Sequence, residues 1–434
     1  MTFAIRAKTG YLAIFEETTA GTGPADWDAD AFLVDHTSAD VSGLVQTVAP
    51  NDNIEGRIFA SGDRTMLLGL KSGASMSSTH YMTGHGQTVA AAATATATHL
   101  AKLIKLAVCG QRISTSRNVT GGSATAPEVD SVTGLEEGDF LAFQDLTSPS
   151  AANSGICHVR RIVDINALVL TLDQALPFTP ANGDIGRSCI ALYLDTAKLQ
   201  DSTSASGTTA SVKVELGEAT PANEKVWELY GACPTLTIQD LNRDAPAQIK
   251  LDWMPGTWKT YDDVTRTTWS AAKSALTSVQ PAMQGIGTTV FVQTYGTATS
   301  VCKPVNTIEV DFGVPRQRIE TVTTCTTNLE GIAGYSVDAR AMTKIKVGIG
   351  RIGDDWEGVL QGGGRQVVRY AVSRGPGYGW ALHFSRCQLS ATPTDKDIGS
   401  QAGYSVEWRA GEDLDNAGAT TEDLWKSKAI IVLA

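Results

Sequence analysis

The chain lacks the features that would assign it quickly to a membrane, secreted or nucleic-acid-binding class. Its best apolar candidate for a membrane span, residues 89–108, is interrupted by threonines and two lysines. It has no basic excess, because 46 acidic and 35 basic side chains give a net charge of −11, and this disfavours a protein that grips phosphates. The first residues contain no basic segment followed by an apolar one, so we expect cytoplasmic expression and no membrane partner.

Clustered metal ligands are also lacking. The seven cysteines stand apart and none forms a C-x-x-C pair. This pattern predicts small buried side chains, not a disulfide framework or a zinc site. His80 and His85 are five residues apart and near His99, without an H-E-x-x-H motif. We interpret them as surface or loop residues, with a metal site completed by an unidentified carboxylate as the weaker alternative, and we expect no metal and no cofactor.

Two segments begin like a nucleotide-binding motif and a calcium-binding loop, but the residues that follow do not fit either motif. Residues 348–353 have the letters G-x-G-x-x-G, but two aspartates follow directly and no helix pattern supplies an N-terminus for a pyrophosphate. Residues 413–418 begin like a calcium loop, yet Ala417 and Leu424 stand where oxygen ligands are required. Neither segment predicts a binding site.

Catalytic patterns are equally incomplete. There is no G-x-S-x-G elbow and no Walker loop. Asp354 and Asp355 beside Trp356 are the best carboxylates for glycoside hydrolysis, but a turn capped by acids is the favoured interpretation. The sequence therefore predicts no enzyme and no catalytic residue.

The composition favours strands around a real core. Hydrophobic residues make up 42% of the chain, charged residues only 19%, and glycine occupies 42 positions. Apolar and polar residues alternate in several segments, which is typical of antiparallel strands with one face in water. These segments are 211–216, 235–239, 248–253, 344–349 and 366–372. Turn residues separate them, so we predict a mainly β fold of antiparallel sandwich or barrel modules.

One or two short helices are expected beside the sheets. Residues 88–109 are rich in alanine and carry one apolar stripe, with Gly110 as the C-terminal stop. Residues 268–278 fit a second short amphipathic helix that ends before Pro281.

A separate small β domain is predicted at 126–195. It contains several short alternating segments with turn signals between them, which indicates a barrel-like insertion. Residues 121–123 and 201–210 flank it and have the composition of flexible loops or linkers.

The chain contains two internal similarities. Residues 333–341 and 402–410 agree at seven of nine positions. A looser echo relates the segment around Cys233 and Trp253 to that around Cys387 and Trp408. Chance and common strand composition are the alternative, more so for the looser echo. Two related β modules are therefore expected. The predicted division is 1–125 for the first part of one module, 126–195 for the inserted domain, 196–265 for the module's completion, and 266–434 for the second module.

Residues 227–253 carry a resemblance to a known family. They read as a strand that ends near a Gly-Ala-x-Pro turn, an alternating strand, a polar spacer and a second alternating strand. In this the chain resembles bacteriophage major tail proteins, the subunits of tail tubes. The resemblance covers 190–265 best, and the part from Pro304 onward and the insertion at 126–195 are compatible with it.

The resemblance implies a β-sandwich flanked by a helix, assembled into stacked rings. The partners would be copies of the chain and other tail proteins, with DNA passing through the lumen without specific binding. The protein would assemble in the host cytoplasm and reside in the virion tail. Two modules per chain would close as a trimer with pseudo-sixfold symmetry, and one module as a hexamer. A mildly acidic wall would repel phosphates.

Two alternatives from other classes remain open. Nine tryptophans and acidic loops suggest a carbohydrate-binding or carbohydrate-active protein of a tail tip. A head-tail connector or capsid decoration protein is the third interpretation.

Overall fold

The strands and helices below are those of a computed structural model. It describes residues 10–44, 48–50, 66–68, 74–150, 153–195, 198, 209–216, 225–242, 246–262, 289–295, 300–303, 305–312, 316–320, 332–337, 343–350, 360–372, 374–391, 394–398, 401–412 and 422–434. The chain is mainly β with antiparallel pairing and a closed six-stranded barrel, which confirms the predicted fold class.

The elements follow in chain order. The first strands are β1 Tyr11–Glu16, β2 Phe32–Leu33, β3 Ser38–Asp40, β4 Val48–Pro50, β5 Met66–Leu68, β6 Met76–Tyr81 and β7 Cys109–Ile113. Next come β8 Arg117–Ser123, β9 Ala126–Val129, β10 Phe140–Gln144, β11 Cys157–Asn166, β12 Val169–Leu172, β13 Ile185–Ser188 and β14 Ile190–Leu194. Then follow β15 Ala210–Leu216, β16 Lys225–Asn242, β17 Gln248–Met254, β18 Thr257–Asp262, β19 Thr289–Thr294, β20 Ser300–Lys303, β21 Val305–Asp311 and β22 Arg316–Glu320. The last are β23 Ile332–Val337, β24 Thr343–Gly350, β25 Gln366–Val372, β26 Trp380–Leu389, β27 Thr394–Ile398, β28 Gln401–Ala410 and β29 Ile430–Leu433. The helices are α1 Trp27–Asp30, α2 His99–Val108 and α3 Glu422–Lys426.

Strand β16 belongs to two sheets. Its first half pairs with β15 and β18, and from Cys233 onward it pairs with β17. Gly231 has φ +58° where the partners change. The Gly-Ala-Cys-Pro segment, expected as a turn that ends a strand, therefore lies inside one 18-residue strand. A glycine accepts this left-handed backbone, so the strand continues through it and changes partners without ending.

One hydrophobic core takes side chains from both sheets and from α2. Leu12, Val214, Trp253 and Ile104 belong to the same buried cluster. It also contains Trp408 and other residues from the C-terminal half, so the two halves of the chain share a continuous core.

Helix α2 is shorter than the predicted 88–109. The Thr98 hydroxyl accepts a hydrogen bond from Ala101 N at 3.2 Å and begins the helix. Upstream, Thr94 forms a β-bridge with Thr115, and Ala92 has φ +62°. The alanine-rich segment is thus held by tertiary pairing, which overrides its helix propensity. The helix ends at Cys109 in the left-handed conformation. Gly110, the predicted stop, lies in β7 and pairs with Tyr193 of β14. The helix predicted at 268–278 lies outside the described residues.

The barrel is closed in the order β10, β11, β12, β9, β8 and β13. Its strands begin at Arg117 and end at Ser188, whereas the sequence placed the domain at 126–195. Strand β14 lies outside it and pairs with β7 and β29. Residues 121–123, expected as a linker, belong to β8. Gly122 has φ +102°, and a Cβ there would lie 2.4 Å from Ala126 O, so glycine serves a tight strand pairing here and not flexibility.

The predicted alternation with one wet face is confirmed in β17 and wrong in β15. In β15 six of seven residues are buried, including Lys213 and Glu215. Their side chains form an ion pair at 3.1 Å, and the Lys213 ammonium lies 5.5 Å from the centre of the Trp27 ring of α1. The charges are buried because they satisfy each other beneath α1.

Candidate assembly interface

The same scheme of strand pairing occurs twice in the chain. In module 1, defined by β1–β6 and β15–β18, the pairs are β1–β2, β1–β15, β15–β16, β16–β18, β16–β17, β17–β6, β6–β3 and β4–β5. In module 2, defined by β19–β29, they are β19–β20, β19–β25, β25–β26, β26–β29, β26–β28, β28–β24, β24–β21 and β22–β23. Each pair of the first set has its counterpart in the second, in the same chain order. The fold is therefore duplicated.

The duplication extends to single residues. The β15–β16 ladder has a bulge between Ala210 and Val212, and the β25–β26 ladder has one between Gln366 and Val368. Beyond the bulges Val212 faces Leu229, and Val368 faces Phe384. A bulge fixes the register of a strand pair, so the two ladders correspond position by position.

The barrel is an insertion into module 1. Between β6 and β15 this module carries α2, β7, the barrel and β14, whereas β24 and β25 of module 2 are joined by residues 351–365 alone. Strands β7 and β14 pair with each other and form the base of the insertion. Because β14 also pairs with β29, the insertion is attached to the last strand of module 2.

The seat of the barrel on module 2 is buried and combines an apolar cluster with charged side chains. The Arg369 guanidinium contacts Asp173 Oδ2 at 2.9 Å and donates to Val159 O at 2.6 Å. Arg161 stacks over the Trp425 ring at 3.9 Å and lies 3.3 Å from His383 Nε2. Burial, with both arginines nearby, holds the pKa of His383 well below its usual range. His383 is therefore neutral at this seat.

The two modules are joined edge to edge by β16 and β21. Thr237 faces Asp311, Ile238 faces Val310, and Leu241 faces Ile308 in an antiparallel ladder. Ile238, Val310 and Ile308 are all buried in the main core. This ladder, the junction, extends one sheet from module 1 into module 2.

Each strand of the junction has a counterpart with an open edge. Strand β27 continues β26 along β28, as the second half of β16 runs along β17. Strand β3 corresponds to β21, because each pairs with the equivalent strand, β6 or β24. Within the described part of the chain, β27 pairs with β28 alone and β3 with β6 alone. These two edges are the candidate interface.

Strand β3 and its counterpart β21 show the same alternation, in which one residue that faces the core lies between two exposed residues. Ala39 is half-buried and packs against the main core, and the residue in its place in β21 is the buried Ile308. Asp40 is exposed, and Ser42 N donates to its carboxylate at 2.9 Å. Hydrogen bonds from Ser42 lower the pKa of Asp40, so this edge carries a negative charge at neutral pH.

The predicted histidine candidates are structural. His80 Nδ1 lies 2.7 Å from Asp35 O, and its Nε2 lies 2.9 Å from Ser78 Oγ, which accepts from Trp253 Nε1. Burial lowers the pKa of His80 to about 4. His85 Nε2 lies 3.1 Å from Ser188 O, a separate environment. A surface position is wrong for both, since each side chain is buried. His80 lies in β6, whereas His85 lies in the loop that follows it, so the loop prediction holds for His85 alone.

The other predicted motifs lie only partly within the described residues. Gly348 and Gly350 belong to β24, so the start of the 348–353 segment is strand. Leu424 is buried in α3. Residues 351–359, with Asp354, Asp355 and Trp356, and residues 413–421 lie outside the described residues. No group of three His, Cys, Asp or Glu side chains with metal-binding geometry occurs in the described ranges, and no helix within them could span a membrane.

Of the two internal similarities, the looser one joins equivalent strands and the closer one does not. Residues 402–410 lie in β28, which corresponds to β17. Residues 333–337 lie in β23, whose partner is β22. The nine-residue match therefore joins strands that are not equivalent. The looser echo between Trp253 and Trp408 marks the true duplication. The open edges could not be predicted from the sequence, because neither β3 nor β27 has a distinctive composition.

The chain was compared with protein families, curated proteins and solved structures. No protein family and no curated protein matches the chain. Among solved structures it is similar to the SPP1 tail tube, determined by solid-state NMR and cryo-electron microscopy. The likeness covers 28% of this chain and 72% of that one, at 12% identity and a TM-score of 0.20. A likeness of this size carries no argument about function.

Proposed function

We propose that the chain is a structural protein that assembles with copies of itself into rings, and that stacked rings form the tail tube of a bacteriophage. The observation that carries the proposal is the duplicated module joined edge to edge by β16 and β21. Such a unit offers one edge of each kind for the next copy. The resemblance of residues 227–253 to major tail proteins supports a role for the assembly in a tail.

Repeated pairing of these two edges between copies can close a ring. An interface between two different edges is heterologous, and heterologous interfaces generate rings when the rotation between copies closes. Each chain supplies two modules, so three chains would surround a bore with six module positions. We therefore favour the trimer with pseudo-sixfold symmetry over a hexamer.

The charge of the chain suits a conduit for DNA. The net charge of −11 disfavours tight phosphate binding, so DNA would slide through without being held. We propose that acidic residues outnumber basic ones on the bore. A basic bore in an image of the ring would contradict this part of the proposal.

The carbohydrate alternative loses much of its motivation. Five of the nine tryptophans are buried in the described residues and cannot stack on a sugar without unfolding. They are Trp253, Trp258, Trp380, Trp408 and Trp425.

Light scattering after size exclusion, followed by negative-stain electron microscopy, tests the assembly. The purified chain should form rings or tubes with a central bore as its concentration rises. A monomer that persists at high concentration would contradict the proposal. Localisation in phage particles tests the role: labelling of tails supports a tube, and labelling of tailless heads supports the connector or decoration alternative.

A further inference from the structure

We propose that β27 of one copy pairs antiparallel with β3 of a second copy, in the register by which β16 pairs with β21 inside the chain. This inference rests on the proposed assembly of the chain with itself. It goes further, because it names the two strands and the residues that face each other.

Strand β27 is equivalent to the second half of β16. Lys250 and Ser405 each stand three residues before the equivalent tryptophans of β17 and β28. Lys250 faces Thr237, and Ser405 faces Thr394. Thr394 therefore corresponds to Thr237, and Ile398 to Leu241.

Strand β3 is equivalent to β21. Trp253 faces Met76, and Trp408 faces Ile345, so these two partners correspond. Two residues further along, Ser78 faces Ala39, and Val347 faces Ile308. Ala39 therefore takes the place of Ile308.

These equivalences give the register expected between β27 of one copy and β3 of another. Inside the chain Leu241 faces Ile308. Between copies, Ile398 should face Ala39 of the neighbour, with Thr394 near the neighbour's Ser42. The backbone groups along both open edges would then be hydrogen-bonded in the assembly, as they are in the junction.

Charged residues on the two edges do not prevent pairing. Acidic and basic residues often protect an edge strand against association. The junction, however, contains Asp240, Glu309 and Asp311 and is paired nonetheless. Asp395, Lys396 and Asp397 on β27 resemble this composition.

Disulfide trapping tests the register. We would combine Ala39→Cys with Ile398→Cys in a background with Cys302→Ser and Cys325→Ser, because Cys302 is exposed. Facing Cα atoms in antiparallel strands are about 4.5–5.5 Å apart, which a disulfide can bridge. Mild oxidation of the assembled protein should give dimers and larger covalent species on a non-reducing gel. The matched control combines Ile398→Cys with Glu128→Cys, since Glu128 is an exposed residue of barrel strand β9.

The outcomes separate this inference from the proposed function. Strong cross-linking of the 39/398 pair and at least tenfold less of the control supports the pairing. Assembled rings that do not cross-link at 39/398 overturn the pairing and leave the tube proposal intact. A chain that never assembles overturns both.

Hydrogen exchange on the unmodified protein keeps the test independent of whether the variants fold. Amides of residues 38–40 and 394–398 should exchange at least tenfold more slowly in rings than in dissociated subunits. Equal exchange in the two states would overturn the pairing.

Discussion

Trp253 and Trp408 occupy equivalent positions in two copies of one strand arrangement. Both are fully buried, and they face Met76 and Ile345 on equivalent neighbouring strands. Their indole groups have different acceptors: Trp253 Nε1 donates to Ser78 Oγ at 2.9 Å, and Trp408 Nε1 to Gln366 Oε1 at 2.7 Å. The packing position is thus shared while the polar partner differs.

Truncation of either tryptophan should cost nearly the same stability. Replacing a buried tryptophan by alanine leaves a large cavity and costs about 3–5 kcal/mol. We expect Trp253→Ala and Trp408→Ala to lower the midpoint of urea unfolding by similar amounts. Trp227→Ala serves as the control because Trp227 is only half-buried. A loss for Trp227 equal to the others would contradict the equivalence in packing.

His80 should make the fold sensitive to acid. Its pKa falls from the ordinary 6.5 to about 4 through burial, so the folded chain holds the neutral ring. The contribution is fully present above pH 6.5 and is lost as the pH falls toward 4, by up to about 3 kcal/mol. His80→Ile introduces the residue type that module 2 carries at Ile349. Unfolding measured from pH 7 to pH 4 should show a smaller loss for this variant. An unchanged pH dependence would show that His80 titrates normally.

The barrel should be removable. Ile113 faces Ile190 in the β7–β14 ladder, so a two-residue Asn-Gly turn can join them directly. We expect the chain without residues 114–189 to keep its β circular dichroism and its assembly. Collapse of the sheets would mean that the modules require the apolar contacts of Phe140 and Val159 with β26 and β29. The comparison is the full chain under the same conditions.

The barrel's seat should depend on the Arg369–Asp173 pair. Arg369 is buried, Asp173 is partly buried, and their side chains are 2.9 Å apart. Asp173→Leu should cost about 3–5 kcal/mol because it leaves the buried Arg369 charge alone, and Arg369→Leu should cost less. The double variant should lose much less than the sum, with a coupling of about 1–3 kcal/mol. Lys250 and Asp252 form a control pair at the same 2.9 Å on the surface, where the coupling should stay below about 1 kcal/mol. Equal couplings for the two pairs would contradict a buried role.

The fold class and several strands could be predicted from the sequence because alternation is a local signal. Strands β17, β24 and β25 lie close to where the pattern placed them. Local signals failed where tertiary contacts decide. The alanine-rich segment before Thr98 is not helical, since Thr94 pairs with Thr115. Lys213 and Glu215 are polar residues and predict an exposed face, but β15 is buried on both faces.

The duplication was visible only faintly, for a physical reason. What is repeated is a set of non-local strand pairs, and the residues that fill equivalent positions differ. Ser78 and His80 of β6 correspond to Val347 and Ile349 of β24, and all four are buried. Their chemistry differs because module 1 uses a hydrogen-bonded chain where module 2 uses aliphatic packing. The open edges of β3 and β27 depend on pairing alone and could not be predicted.

The central claim is that two like modules in each chain assemble into a ring. Electron cryo-microscopy of the assembled protein, with the number of chains counted by native mass spectrometry, tests it most directly. The account predicts a ring with a central bore, in which the modules around the bore number twice the chains. A chain that stays monomeric, or an assembly without a bore, would contradict it.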